Sequence, residues 1–301
     1  MPVKIKHFLT LPFILCGLFQ SNTGFAQAVL IHEGPANQTG ICEPTISVDP
    51  TNTQNVYAAS VLNNFYQSTD GGLSWTKELI TSPYGVWGDP CLLTDFKGRT
   101  YFFHLSDPEG TNWRSDQILD RMVCQTKDGP EDAFNDGSYT AVNGKKHDKE
   151  WTAVNPKNGA IALSWTQFDQ YGTDDPECHS RILFSESLDQ GAHWSTPEEI
   201  SSFLGNCVDD DGTAEGAVPA YGTRSEVYVG WALDQSIWMS IKKGKRWETR
   251  PIARQEAGWT QSYAGFDRCN GMPVTVVDHC KDSPYYGRVY VCWGDQNKKF
   301  G

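Results

Sequence analysis

The chain has little positive charge, no long apolar run and no paired cysteine motif. Lys and Arg number 25 against 37 Asp and Glu, a formal net charge of −12. That balance repels phosphate backbones, and no basic patch laced with aromatics offsets it, so nucleic acid is excluded as a partner. The apolar run from Phe8 to Phe19 is too short to span a bilayer, and no later segment is long and apolar enough to do so. None of the nine cysteines forms a Cys-x-x-Cys pair, which leaves a zinc ribbon unsupported.

What is present begins with Lys4, Lys6 and His7, then the apolar run, then Gly24-Phe25-Ala26. That order of basic, apolar and small-x-small reads as a secretory signal peptide, residues 1–26, and places the protein outside the cytoplasm, extracellular or periplasmic. Cys16 follows Leu15, where a lipid-attachment signal would want a small residue, so the expectation is release and not anchoring. Cleavage after Ala26 removes two lysines and no acid, taking the charge from −12 to −14. Residues 27–42 read as a polar leader, with a chance glycosylation sequon at Asn37-Gln38-Thr39, and residues 43–301 as the folded domain. Eight cysteines lie beyond the signal, an even number that permits disulfides in an exported chain without revealing their pairing. Cys269 and Cys280 flank one strand and can bridge to each other or to neighbours; buried thiols are the alternative.

From Glu43 onward, short strands alternate with turn residues, the mark of a sandwich, barrel or propeller. Thr45–Val48, Val56–Val61, Phe65–Ser68 and Trp75–Ile80 make one four-stranded unit. Between its last two strands runs Ser68-Thr69-Asp70-Gly71-Gly72-Leu73-Ser74-Trp75. The same skeleton returns as Ser187-Leu188-Asp189-Gln190-Gly191-Ala192-His193-Trp194. Hydroxyl and carboxylate accept backbone N–H bonds inside such a turn, the glycine takes a φ that side chains resist, and the indole covers the loop. Thr126-Lys127-Asp128-Gly129, running on to Phe134, and Ser240 to Trp247, with Lys242 in the Asp place, are looser copies. The four begin at 68, 126, 187 and 240, a spacing that means a repeat architecture. The second and third units carry polar insertions, Ser106–Leu119 and Gln167–Ser180, and a fifth unit shows only Pro273–Val277 and Arg288–Trp293.

The Ser-x-Asp-x-Gly-x-x-Trp turn resembles the Asp-box, or bacterial neuraminidase repeat, of sialidase-like β-propellers. The resemblance rests on Ser68, Asp70, Gly72 and Trp75, on Ser187, Asp189, Gly191 and Trp194, and on the two degenerate copies. It implies an all-β, six-bladed ring of which about four and a half blades are present, the chain being incomplete at its C-terminal side. It also implies that the turn is structural and stands away from the active site.

In a propeller the first strand of each blade lines the central channel, so the residues entering those strands are the candidates: Glu43, Asp89, Asp148 with Glu150, Glu215 and Arg268. Paired carboxylates suit glycoside hydrolysis, one protonating the leaving oxygen while the other acts as base or nucleophile. Asp89, Asp148, Glu150 and Glu215 are the catalytic candidates. Arg268, Glu43 and Tyr263 are the substrate-binding ones, with Asp267 beside them and Arg121 and Arg181 opening third strands. The alternative is that these acids cap strands or hold a structural cation. No cofactor is called for; Asp209-Asp210-Asp211-Gly212 has the hard oxygens for Ca²⁺ without the spacing of a calcium loop.

Active sialidases, which this family includes, grip a substrate carboxylate with three arginines and use a Tyr–Glu nucleophile pair with an Asp acid/base. The first arginine sits in a Phe/Tyr-Arg-Ile-Pro motif. Here the matching stretch is Ile41-Cys42-Glu43-Pro44, with Cys42 in the arginine place; Arg250-Pro251-Ile252 follows a turn into an outer strand and is a coincidence. Two functions follow. One is an exo-acting, sialidase-like glycoside hydrolase on extracellular glycans or glycoproteins. The other is a non-catalytic propeller that binds glycan or protein through exposed aromatics such as Trp87, Trp113 and Trp259.

Overall fold

The computed structural model describes residues 28–33, 42–140 and 142–296, with backbone only for 266–268. The segment assigned as signal peptide, residues 34–41 of the leader and its sequon lie outside the described residues. Two units divide the chain: Met1–Leu30, of which 28–30 are described, and Ile31–Gly301, which holds every described strand. Among the described residues no helix is long and apolar enough to cross a membrane.

Four antiparallel sheets of four strands follow one another, each with its strands side by side in chain order. The first is β1 (Thr45–Val48), β2 (Val56–Ser60), β3 (Asn64–Ser68) and β4 (Thr76–Leu79). The second is β5 (Gly88–Thr94), β6 (Thr100–Leu105), β7 (Met122–Lys127) and β8 (Ser138–Tyr139). The third is β9 (Lys146–Val154), β10 (Ile161–Phe168), β11 (Ser180–Ser187) and β12 (Glu198–Glu199). The fourth is β13 (Glu215–Tyr221), β14 (Val227–Leu233), β15 (Ser236–Lys243) and β16 (Arg246–Arg254). Two hairpins complete the described strands: β17 (Thr260–Tyr263) with β18 (Phe266–Asn270), and β19 (Val274–Val277) with β20 (Val289–Cys292). The first strands β1, β5, β9, β13 and β19 adjoin in that order, which is the arrangement of blades in a β-propeller.

The cores lie between sheets, and the sequence of the middle strands shows why. Every residue of β6, Thr-Tyr-Phe-Phe-His-Leu, is buried, because alternate side chains enter different cores. Phe102 packs with Tyr57 and Phe65 of the first sheet, while Tyr101 and Phe103 pack with Ile161, Leu163 and Trp165 of the third. On β10, Ala162 turns the other way, into a core shared with Phe184, Val229 and Trp231. The outermost strands β4 and β16 are largely exposed, as strands covered on no outer side must be.

The recurrent turns sit between third and fourth strands. In the first, Gly72 N–H donates to Ser68 Oγ at 2.8 Å, Ser74 N–H to Asp70 Oδ1 at 2.9 Å, and Trp75 Nε1 to the Gly72 carbonyl at 3.0 Å. The other three aromatics reach the preceding sheet instead. Phe134 packs edge-on to Phe65; Trp194 Nε1 donates to Ser138 Oγ at 3.0 Å; Trp247 Nε1 donates to Glu198 Oε2 at 3.0 Å. Lys242, in the Asp place, also pairs with Glu198 at 2.7 Å. Each of those three aromatics therefore fastens its blade to the one before it.

One disulfide is present among the described residues, Cys178–Cys207, tying the third-sheet insertion to the approach to β13. Of the alternatives open for Cys269 and Cys280, the structure has both as thiols, Cys280 exposed and Cys269 half-buried. Trp259 is 3 % exposed and donates to the Thr213 carbonyl; it is core, not a surface ring. The deep packing makes a direct prediction. Trp165→Ala should lower stability by about 3–5 kcal/mol in urea unfolding, and Leu188→Ala, at an exposed turn, by less than about 0.5 kcal/mol.

Candidate functional site

The heads of the first strands share a backbone irregularity. Glu43, Asp89, Lys149 and Gly216 have φ of 52°, 49°, 53° and 70°, each at the entry to the inner strand of its sheet. Around three of them the pairing register skips, between Gly88 and Cys91, opposite Ser164 and Thr166, and between Glu215 and Val218. A bulge of this kind bends the strand and re-aims a side chain. Non-glycine residues hold left-handed backbone at a cost of order 1–3 kcal/mol each, so the surrounding sheets must offset that cost at these positions. The fourth position is glycine for a packing reason as well: a Cβ there would lie 2.7 Å from Met272 Cβ.

The aimed side chains converge. Lys149 Nζ lies 2.9 Å from Glu43 Oε1 and 2.7 Å from Asp89 Oδ2, joining the first three blades at one ammonium. Glu43, Asp89, Lys149, Glu150, Trp151 and Met272 line a cavity of about 290 Å³, together with Asn270, Pro273 and Val274. Asp148 and Glu215 stand behind this surface, both buried. The ends of the blades confirm where the hub stands: Leu105 pairs opposite Gly88, while Val56 pairs with Ser68, so the recurrent turns lie at the other end.

Electrostatics separate the carboxyl groups. Burial works against a charge on Asp89, but the Lys149 ammonium and hydrogen bonds from the Glu43 and Asp148 carboxyls outweigh it, and Asp89 titrates well below the usual range. Burial, then the Asp89 charge, pushes Glu150 well above the ordinary value. Burial does the same to Asp148, with Lys149 opposing it. Glu215 is raised to about 8 by burial and by Asp209. Glu43, at the rim with 39 % of its side chain exposed, is raised to about 7 by burial and by Asp89. Both oxygens of Glu150 and of Glu215 are buried without a hydrogen-bond partner. The surroundings thus favour the charged form of Asp89 and the protonated forms of Asp148, Glu150 and Glu215, while Glu43 at the rim shares the Lys149 ammonium with Asp89.

The remaining candidates stand elsewhere. Tyr263, on β17, donates to Gln261 Oε1 and does not line the cavity. Arg268 and Asp267 lie on β18, their side chains outside the described ones, and the residue heading the fifth inner strand is Met272. That displacement is a correction: the β17–β18 hairpin intervenes before the inner strand begins. Arg121 forks onto Asp120 at 2.7 Å, and Arg181 pairs with Asp169 at 2.8 Å, so both serve local structure. In the acidic loop, Asp210 accepts from Asn206 and Gly212, Asp211 from Thr260, and Asp209 from Tyr171. Among the described residues no three His, Cys, Asp or Glu side chains converge in a geometry able to hold a metal ion. Lys149 went unread in the sequence, although it is the one cation set between two candidate acids.

No family model matches the chain, and no curated protein does. Solved structures share its fold. An α-L-arabinanase from Penicillium chrysogenum, solved with arabinobiose, superposes with a TM-score of 0.56 at 13 % identity, over 84 % of this chain and 75 % of its own. A protein of unknown function from Dyadobacter fermentans gives 0.57 at 14 % identity, over 86 % and 76 %. An α-L-arabinofuranosidase from Fusarium graminearum, bound to an iminosugar inhibitor, gives 0.52 at 13 %, over 82 % and 73 %. At such identities the likeness is one of fold.

Two predictions follow from the charges. A carboxyl raised in the folded state contributes stability at low pH that is lost as pH climbs to its folded value. His104 and His147, both depressed to about 4 by burial, act in the opposite sense, but only below their unfolded value of 6.5. Between pH 6.5 and 8 the histidines are silent, while Glu43, Asp148, Glu150 and Glu215 all act in the one sense, so stability should fall with rising pH; Glu215→Gln should remove about 2 kcal/mol of that fall in thermal melts and leave the share of the other three carboxyls. Lys149→Met should lower stability by about 3–5 kcal/mol at pH 7, because Asp89 is left buried without its counter-charge.

Proposed function

We propose that this chain is a glycoside hydrolase acting on glycans, with Glu150 as proton donor and Asp89 as the ionised base or nucleophile. The observation that carries the reading is the unlike setting of two carboxyls that line one cavity: Asp89 lies 2.7 Å from the Lys149 ammonium, which favours its charged form, while Glu150 is buried, which favours its protonated form. Groups whose environments push their pKa values apart supply the acid and base that glycosidic cleavage needs. Lys149 positions Asp89 and keeps it charged; Asp148 and Glu215 support the electrostatics from behind. The arabinan-acting and arabinofuranoside-acting structural counterparts are in keeping with a glycan substrate.

The reading extends to an exported, Asp-box type propeller of six blades, cleaving from a chain end. Ser47 and Thr45 hydrogen-bond to the second sheet, so Ile46 and Val48 turn outward, 63 % and 47 % exposed. Thr275 bonds to Gly230 of the fourth sheet, so Val274 and Val276 turn outward as well, 43 % and 53 % exposed. A further sheet would bury both faces. For the finer question of substrate, the described cavity side chains include one cation, Lys149, already paired with two carboxylates, which favours an uncharged sugar over a sialoside.

The test is hydrolysis of chromogenic glycosides, arabinofuranosides, pyranosides and sialosides together. One neutral glycoside should be cleaved, with kcat falling by about 10² or more in Glu150→Gln and in Asp89→Asn. The alkaline limb of the rate profile should vanish in Glu150→Gln, since that limb is loss of its proton. Cleavage untouched by either change would sink the assignment. Binding without cleavage would favour the second reading, a non-catalytic glycan- or protein-binding propeller, for which the self-neutralised pairing of Lys149 with Glu43 and Asp89 already speaks.

A further inference from the structure

The two insertions each bring one aromatic ring to the hub end of the blades. The first leaves β6 at Leu105, opposite Gly88, and the second leaves β10 at Phe168, opposite Lys146, so both rise beside the strand heads. Trp113, from the first, stacks on Tyr171, from the second, with ring centres 5.4 Å apart and planes 22° from parallel. Trp87, two residues before Asp89, meets Trp113 edge-on at 5.8 Å. The result is a ledge of three rings whose outermost indole is 57 % exposed.

Exposed apolar side chains are ordinary when they stand singly on turns, as Phe96 does at the other end of β5. This indole is braced. Asn112 N–H donates to Asp107 Oδ2 at 3.0 Å, and Lys146 Nζ donates to the carbonyls of Asp116 and Ile118 at 2.6 and 2.8 Å, fixing the insertion that carries it. Tyr171 is fixed by its hydroxyl on Asp209 Oδ2 at 2.8 Å, and the Cys178–Cys207 disulfide joins its loop to the approach to β13. Rings ordered before a ligand arrives add no ordering cost when it binds. The π-face of an indole is electron-rich and apolar, which suits the C–H face of a sugar ring.

We propose that Trp113, Tyr171 and Trp87 form a second sugar subsite, so that the ligand is a neutral oligosaccharide running from the hub cavity across the second and third blades. The inference rests on the hub being a glycan site and extends it to a chain of several sugars. Neutral chemistry follows from charge: the ledge is footed on Asp209, the nearby ammonium of Lys149 is spent on two carboxylates, and the protein is acidic overall. A polyanionic glycan would meet repulsion at each of these points.

The test is calorimetric and tryptophan-fluorescence titration of the full chain carrying Glu150→Gln with linear arabino-, xylo- and cello-oligosaccharides. At least one series should bind and shift the emission. Trp113→Ala should weaken that binding about ten- to hundredfold, and Tyr171→Phe, which keeps the ring, should weaken it far less than Tyr171→Ala. Phe96→Ala, an exposed ring at the opposite end, should leave affinity unchanged. Failure of every oligosaccharide to bind, or binding indifferent to Trp113→Ala, overturns the subsite. Binding through the ledge by a wild-type protein that cleaves nothing leaves the subsite standing and removes the hydrolase reading instead.

Discussion

One ammonium group makes the hub possible. Inner strands of a propeller must aim their entry residues at a shared axis, and here four of those residues are acids: Glu43, Asp89, Asp148 and Glu215, with Glu150 beside them. Charged together in a buried space they would repel one another at several kcal/mol per pair; burial favours the protonated forms of Asp148, Glu150 and Glu215, and Lys149 offsets the charge of Asp89 and Glu43. The left-handed backbone at Lys149 points the ammonium inward. Relaxing that bulge would free the backbone strain and lose the counter-charge together.

The rest of the structure holds that point fixed. Middle strands buried on both faces bond sheet to sheet, through Phe102 toward the first and Tyr101 with Phe103 toward the third. The aromatic of a recurrent turn then reaches back to the preceding blade, as Trp194 does to Ser138 and Trp247 to Glu198. These fastenings lie at the end of the blades remote from the hub. Strain at one end and rigidity at the other is the division expected of a scaffold that holds reactive groups in unfavourable surroundings.

Legibility followed the range of the physics. The end of β1 was plain because a turn follows it at Asp49-Pro50-Thr51-Asn52, whereas β9 and β13 begin several residues before the apolar run that betrays them. Their extra residues belong to bulges, which depend on partner strands. The two-residue strands β8 and β12 carry too short a pattern to be seen, and the β17–β18 hairpin intervened where an inner strand was expected, moving the hub position from Arg268 to Met272. Trp259 looked like a surface ring because nothing local tells an indole whether a neighbouring blade will cover it.

The sequence by itself determined the repeating four-stranded unit, its turns and the acids at its strand entries, since periodicity and turn chemistry act over a few residues. Only the tertiary structure decided which acid is charged, which sulfurs are joined and which rings stand open. Those outcomes depend on burial and on partners 29 to 106 residues away, from the Cys178–Cys207 bond to the Lys149–Glu43 pair, and such distances are closed by packing alone.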